Sequence, residues 1–197
     1  MRSLGHLSEV ENSLRIIPIQ RGEKCFAWTD GMRTIIIAIC ILLANKAYAA
    51  GDCDLLGSLE ADPLSISEPV DFQDIQSTKL VNACTKAIEE QNDNVARYYL
   101  LRARGHLRGG SYEQAISDIR RSHDMGYPAA TFALATLYHF GDAMPQDLER
   151  AASLYEAAYS NGVTWAARGL AILYEDFSFD NYNPELAKEW LKKFEGI

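Results

Sequence analysis

Residues 130–138 read ATFALATLY and residues 166–174 read AARGLAILY. Ala130 and Ala166, Leu134 and Leu170, and Tyr138 and Tyr174 therefore stand 36 residues apart, and within each stretch the matched residues are four apart, the spacing of one helix face. The offset extends outward. Gly126 and Gly162 share it, and Ala115, Ala151 and Ala187 repeat it twice. A period of this size marks stacked helix–turn–helix units, each burying its apolar face against the next. The expected fold class is all-α, a solenoid of about three such repeats.

The units parse as 94–129, 130–165 and 166–197. In the first, helix A is expected from about Asn94 to Leu107, Gly109-Gly110 turns the chain, and Ser111-x-x-Gln114 reads as a capping box for helix B. The second places a loop with Gly141 and Pro145 before a helix from Asp147 to Ser160, closed by Asn161-Gly162. The third starts its helix B at Asn183-Pro184, a capping side chain followed by proline at the first helical position. Ala103, Ala135 and Ala171, with Ala115, Ala151 and Ala187, are the small residues expected where paired helices approach closely.

Ahead of the repeats, residues 50–93 read as an N-terminal cap. Asp62-Pro63 and Glu68-Pro69 break the chain, so residues 50–77 are expected to be extended and mostly non-helical. Ser77 or Thr78 should then cap a helix carrying Leu80, Val81, Cys84, Ala87 and Ile88 at helical spacing. Further upstream, residues 34–44 (TIIIAICILLA) form an uncharged apolar run of 11, short of the roughly 20 residues that span a bilayer. With Met32-Arg33 before it and Ala47-Tyr48-Ala49 after it, the run has the parts of a signal peptide over 32–49, cleaved after Ala49. Residues 1–31 then read as an over-long upstream extension, with translation starting at Met32; a long leading region of the same signal is the alternative. Either reading directs the chain to the periplasm or out of the cell, with no stable membrane insertion once the signal is removed.

The whole chain has 197 residues and a net charge of -8. Beyond Ala49 it keeps 13 Lys+Arg and 23 Asp+Glu, a net -10. Such acidity argues against a partner held through phosphates, so no nucleic acid is expected. Of four cysteines only Cys53 and Cys84 follow the cleavage site. In an oxidising compartment an isolated pair reads as one disulfide, the alternative being two free thiols. No zinc site is expected, because neither cysteine has a histidine near it.

The pattern A-x-x-x-L-x-x-x-Y, a glycine-containing loop, and D-x-x-x-A-x-x-x-Y resembles the Sel1-like repeat, a relative of the tetratricopeptide repeat (TPR). The second unit carries it as Ala130, Leu134, Tyr138, Gly141, Asp147, Ala151, Tyr155, Ala158 and Gly162, and the third as Ala166, Leu170, Tyr174, Ala187 and Leu191. The first departs from it, with Arg102 and His106 where leucine and tyrosine are usual. The resemblance covers about residues 94–197. It implies an adaptor that binds protein or peptide along a concave face lined by A helices, in the bacterial envelope or in host contact.

On that face the resemblance places Phe132, Thr136 and His139 of the second unit and Trp165, Arg168, Ile172 and Glu175 of the third. A second feature comes from charge. The first unit has six arginines against three acidic residues, +3 between two acidic flanks. Arg97, Arg104 and Arg108 fall along one stripe of its A helix, seven and four residues apart. The stripe either recruits an acidic partner or holds the acidic N-terminal segment. There is no G-x-S-x-G, H-E-x-x-H or P-loop, and His106, His123 and His139 lack a second ligand at i+3 or i+4. The expectation is a non-catalytic protein without catalytic residues, metal or cofactor; the alternatives are an envelope-acting hydrolase or its accessory subunit, and a self-assembling structural protein.

Overall fold

The computed structural model describes residues 51–90 and 93–196. The predicted export signal and the stretch before it lie outside the described residues. All regular structure among the described residues is helical. Residues 51–57 form α1, and a single 3-10 turn follows at Phe72–Asp74. Then come α2 (Ser77–Glu89), α3 (Val95–Arg108), α4 (Tyr112–Asp124), α5 (Pro128–Phe140), α6 (Leu148–Ser160), α7 (Trp165–Tyr174) and α8 (Pro184–Glu195). Consecutive helices pack as hairpins, α3 on α4, α5 on α6 and α7 on α8, and each hairpin leans on the next through α4·α5 and α6·α7. This is an all-α solenoid of helix–turn–helix repeats behind an N-terminal cap.

The alanines explain the close packing. Ala103, Ala135, Ala115, Ala151 and Ala187 are at most 1% exposed and Ala171 is 6% exposed, so larger side chains there would push paired helices apart. Leu134, Leu170, Tyr138 and Tyr155 fill the shared core. The corners repeat as well. Gly126 and Gly162 sit at φ 80° and 92°, the left-handed region that costs a glycine nothing. Each lets the next residue reach back, Tyr127 N–H to the Ser122 carbonyl at 3.1 Å and Val163 N–H to the Ala158 carbonyl at 3.0 Å. The loops joining A to B helices close alike too. Asp147 N–H donates to the Tyr138 carbonyl and Asn183 N–H to the Tyr174 carbonyl, both at 2.9 Å. Asp147 and Asn183 then cap α6 and α8 through their side chains.

Three local expectations are corrected. Residues 51–57 are helical rather than extended, because the breakers begin only at Asp62-Pro63 and because tertiary contacts hold this short helix. Cys53 is fully buried and bonded to Cys84 of α2, 31 residues on. Ser77 does not cap α2. Gln76 is the flanking residue, and the Ser77 hydroxyl donates to the Gly105 carbonyl of α3 at 2.8 Å. The Ser111 capping box does not form either. Its backbone closes the turn instead, with Ser111 N–H reaching the His106 carbonyl at 2.9 Å.

A second, smaller core gathers Cys53, Ile75, Leu80, Cys84, Ala87, Tyr98 and Leu101. It lies where α1, α2 and α3 meet and fixes the N-terminal segment against the first repeat.

Candidate functional site

Five of the seven residues placed on the concave face line one groove of about 330 Å³. Phe132 and Thr136 come from α5, and Trp165, Arg168 and Ile172 from α7. Tyr155 of α6 is part of its lining, its ring centroid 5.8 Å from that of Phe132. Gly169 makes this possible. A Cβ at that position would stand 2.6 Å from the buried Tyr155 ring, which has no room to retreat.

His139 and Glu175 do not reach the groove. Both are i+7 partners of groove residues, Phe132 and Arg168, whereas the wall follows the i+4 ridge through Phe132, Thr136 and Phe140. His139 turns inward, 3% exposed, with Nδ1 3.2 Å from the Tyr155 hydroxyl and its ring stacked on Phe140. Glu175 is exposed just past the end of α7. Phe140, 52% exposed, takes the place expected for His139. The i+8 spacing could have found it, but Tyr155 stood out only as a repeat-motif position and Gly169 carried no signal at all.

The chemistry of the groove is apolar with one cation. The Thr136 hydroxyl donates to the Phe132 carbonyl within its own helix. Burial pushes the Tyr155 phenol up to about 12, so it stays protonated. The Arg168 guanidinium lies 5.4 Å from the Trp165 ring centroid and 5.8 Å from that of Phe194. No carboxylate among the described residues lies within ion-pair distance of it. A cation stacked on aromatic rings and open to solvent can receive an acceptor group from outside. Trp165 also borders a neighbouring hollow of about 400 Å³, whose other wall is Leu59, Val70 and Phe72 of the N-terminal segment and Arg104 of α3.

The arginine stripe is engaged within the chain. Arg97 makes a two-pronged pair with Asp54 of α1 at 2.8 and 3.2 Å, both side chains buried. Arg104 donates to the carbonyls of Gly57, Ser58 and Val70, and Arg108 to that of Gln73. Burial brings Arg104 down to about 10, which still leaves it charged at neutral pH. The Tyr127 hydroxyl adds a 2.6 Å bond to Asp62. Of the two readings of the stripe, these contacts favour the one in which it holds the N-terminal segment.

His139 gives the stability of the fold a pH dependence. Burial disfavours its imidazolium, and the charge of Asp176 offsets this only in part, so its pKa is lowered from the usual histidine value. The unfolded chain therefore takes up a proton first, at about pH 6.5. His106 is lowered too, again by burial. Stability is fully present above that pH and is lost as pH falls below it. The melting temperature should be level between about pH 8 and 7 and fall from about pH 6.5 downward, with a shallower fall in His139→Phe. An equal slope in that variant, measured by scanning calorimetry, would remove His139 from the account.

Among the described residues no three His, Cys, Asp or Glu side chains gather as a metal site, and no helix is long and apolar enough to cross a membrane. No protein-family model matches the sequence, and no curated protein matches it. Among solved structures, the crystal structure of a Sel1 repeat protein from Oxalobacter formigenes matches 61% of this chain, with a TM-score of 0.51 and 21% sequence identity. The match spans 49% of that protein, about half its length. The likeness read from ATFALATLY and AARGLAILY is thus one of architecture, and the chain has the helical-repeat solenoid fold of Sel1 repeat proteins.

Proposed function

We propose that this chain is an exported, non-catalytic repeat protein that binds a segment of another protein in the groove between α5 and α7. The observation that carries the reading is the groove itself. Phe140, Ile172 and Arg168 stand open to solvent on it, and the stacked guanidinium of Arg168 has no carboxylate within ion-pair distance among the described residues. Exposed aromatic and aliphatic anchors around one cation suit the capture of a peptide segment. Its solenoid fold, shared with Sel1 repeat proteins, supports the same reading. Export is supported by the signal-like stretch over residues 32–49 and by the buried Cys53–Cys84 bond, since disulfides persist in oxidising compartments.

A photoreactive residue at Phe132 or Arg168, activated in living cells, should yield a discrete adduct with another protein. That adduct should disappear in Ile172→Arg, a surface change that leaves the helical circular dichroism spectrum intact. An adduct that persists in Ile172→Arg, or none from either site, moves the interface elsewhere. Export predicts that the chain recovered outside the cytoplasm begins at Ala50.

A further inference from the structure

The first repeat breaks the pattern at one place, and a cleft opens there. Aligned on Ala103, Ala135 and Ala171, residue Arg102 takes the place of Leu134 and Leu170, and His106 that of Tyr138 and Tyr174. On the B helices, aligned on Ala115, Ala151 and Ala187, Asp118 takes the place of Leu154 and Trp190. The second and third units thus set apolar or aromatic side chains at positions where the first sets two charged groups and a histidine. A partly buried ion pair is no better for stability than well-packed apolar residues of similar volume, so packing alone does not call for it. On α3 these residues fall roughly opposite the Arg97, Arg104 and Arg108 stripe, at about 100° per residue.

Arg102, His106 and Asp118 border an open cleft of about 560 Å³ between α2 and α4. That is room for a small molecule. The internal accounts of the charges leave one cation over. Both Asp118 oxygens accept from Arg102, at 2.7 and 2.8 Å, and Arg102 also donates to the Thr85 hydroxyl. His106 stands 3.8 Å from Asp118, beyond hydrogen-bond reach, and burial lowers its pKa. Arg121 packs 5.6 Å from the Tyr99 ring centroid and has no carboxylate within ion-pair distance among the described residues. Gln114, Ser117 and Arg121 follow one another at i, i+3 and i+7 on α4, so one face presents an amide, a hydroxyl and a guanidinium to the same opening.

We propose that this cleft is a second binding site, shaped for the carboxylate of a small monoanionic molecule, with Arg121 as the anchoring cation. A planar guanidinium matches the two oxygens of a carboxylate, and the Gln114 amide and Ser117 hydroxyl supply further donors. Asp118 and Glu113 also border the cleft, and their charges oppose a dianion such as phosphate. The site is separate from the α5–α7 groove and stands or falls without it.

The test is a titration of the 15N-labelled chain with N-acetylglycine, its neutral amide N-acetylglycinamide, and inorganic phosphate. N-acetylglycine should shift the backbone amides of Gln114, Ser117 and Arg121 saturably, with a Kd of about 1 mM, leaving those of Phe132 and Ile172 in place. The neutral amide and phosphate should bind at least about tenfold more weakly. Arg121→Gln should abolish the shifts, Arg121→Lys should weaken them about tenfold, and Arg120→Gln, on the same helix, should change nothing. Arg121 is exposed, so an unchanged amide spectrum outside the cleft certifies the fold of each variant. Absent saturation, equal binding of the neutral amide or of phosphate, or unaltered binding in Arg121→Gln would each overturn the proposal.

Discussion

Replacing Asp54 with alanine should lower the unfolding free energy by about 3–5 kcal/mol, as expected when a buried ion pair loses one member. Asp54 is 1% exposed and Arg97 is 6% exposed, so the guanidinium left behind could not be rehydrated without opening the structure. Burial raises the Asp54 carboxyl above its usual pKa even with Arg97 beside it. The substitution also frees α1, because the pair is one of the few polar contacts tying it to the first repeat. Equilibrium urea unfolding at neutral pH gives the number. The double variant Asp54→Leu with Arg97→Met should recover most of the loss, since it removes both charges and keeps the volume. A loss below about 1 kcal/mol in Asp54→Ala would place the pair in water rather than in the core.

Removing the disulfide through Cys53→Ala with Cys84→Ala is the second large effect. The bond closes a separation of 31 residues, for which the chain-entropy account gives about 3–4 kcal/mol. For a folded body of this size that corresponds to a melting temperature lower by roughly 10 °C in calorimetry. Both sulfurs are fully buried, so mild reductant without denaturant should leave the bond intact, and alkylation followed by mass spectrometry should find neither Cys53 nor Cys84 labelled. Labelling of either in the native protein would contradict that burial. Because Cys53 adjoins Asp54 on one short helix, the two effects should not add; each alone loosens the same attachment.

The array itself was legible because its signal is redundant. Six pairs of positions at one offset, each with a packing reason, leave little room for another fold. The groove was legible in part, because the resemblance to the Sel1-like repeat pointed to Phe132, Thr136, Trp165, Arg168 and Ile172, which line it. His139 and Glu175 were misplaced because an i+7 residue and an i+8 residue cannot be told apart until the tilt of the neighbouring helix is known. The fate of the arginine stripe was open for a different reason. Arg104 binds carbonyls of Gly57, Ser58 and Val70, and a backbone acceptor leaves no trace in side-chain identity. Helix α1 went unseen because seven residues carry too little periodicity, and its stability comes from contacts more than 30 residues away.

The loops that join A and B helices in the second and third repeats have consequences beyond closure. Between Tyr138 and Asp147 the chain reads HFGDAMPQ, and between Tyr174 and Asn183 it reads EDFSFDNY. They share almost no sequence, yet each has eight residues and each is pinched shut by the same backbone bond. One tucks Met144 against the core, while the other holds out Phe177, 86% exposed and stacked on Tyr182. The frame therefore works as a socket with interchangeable inserts. What the solenoid displays at its corners can be rewritten, residue by residue or by exchange of whole loops, without altering how its helices are spaced.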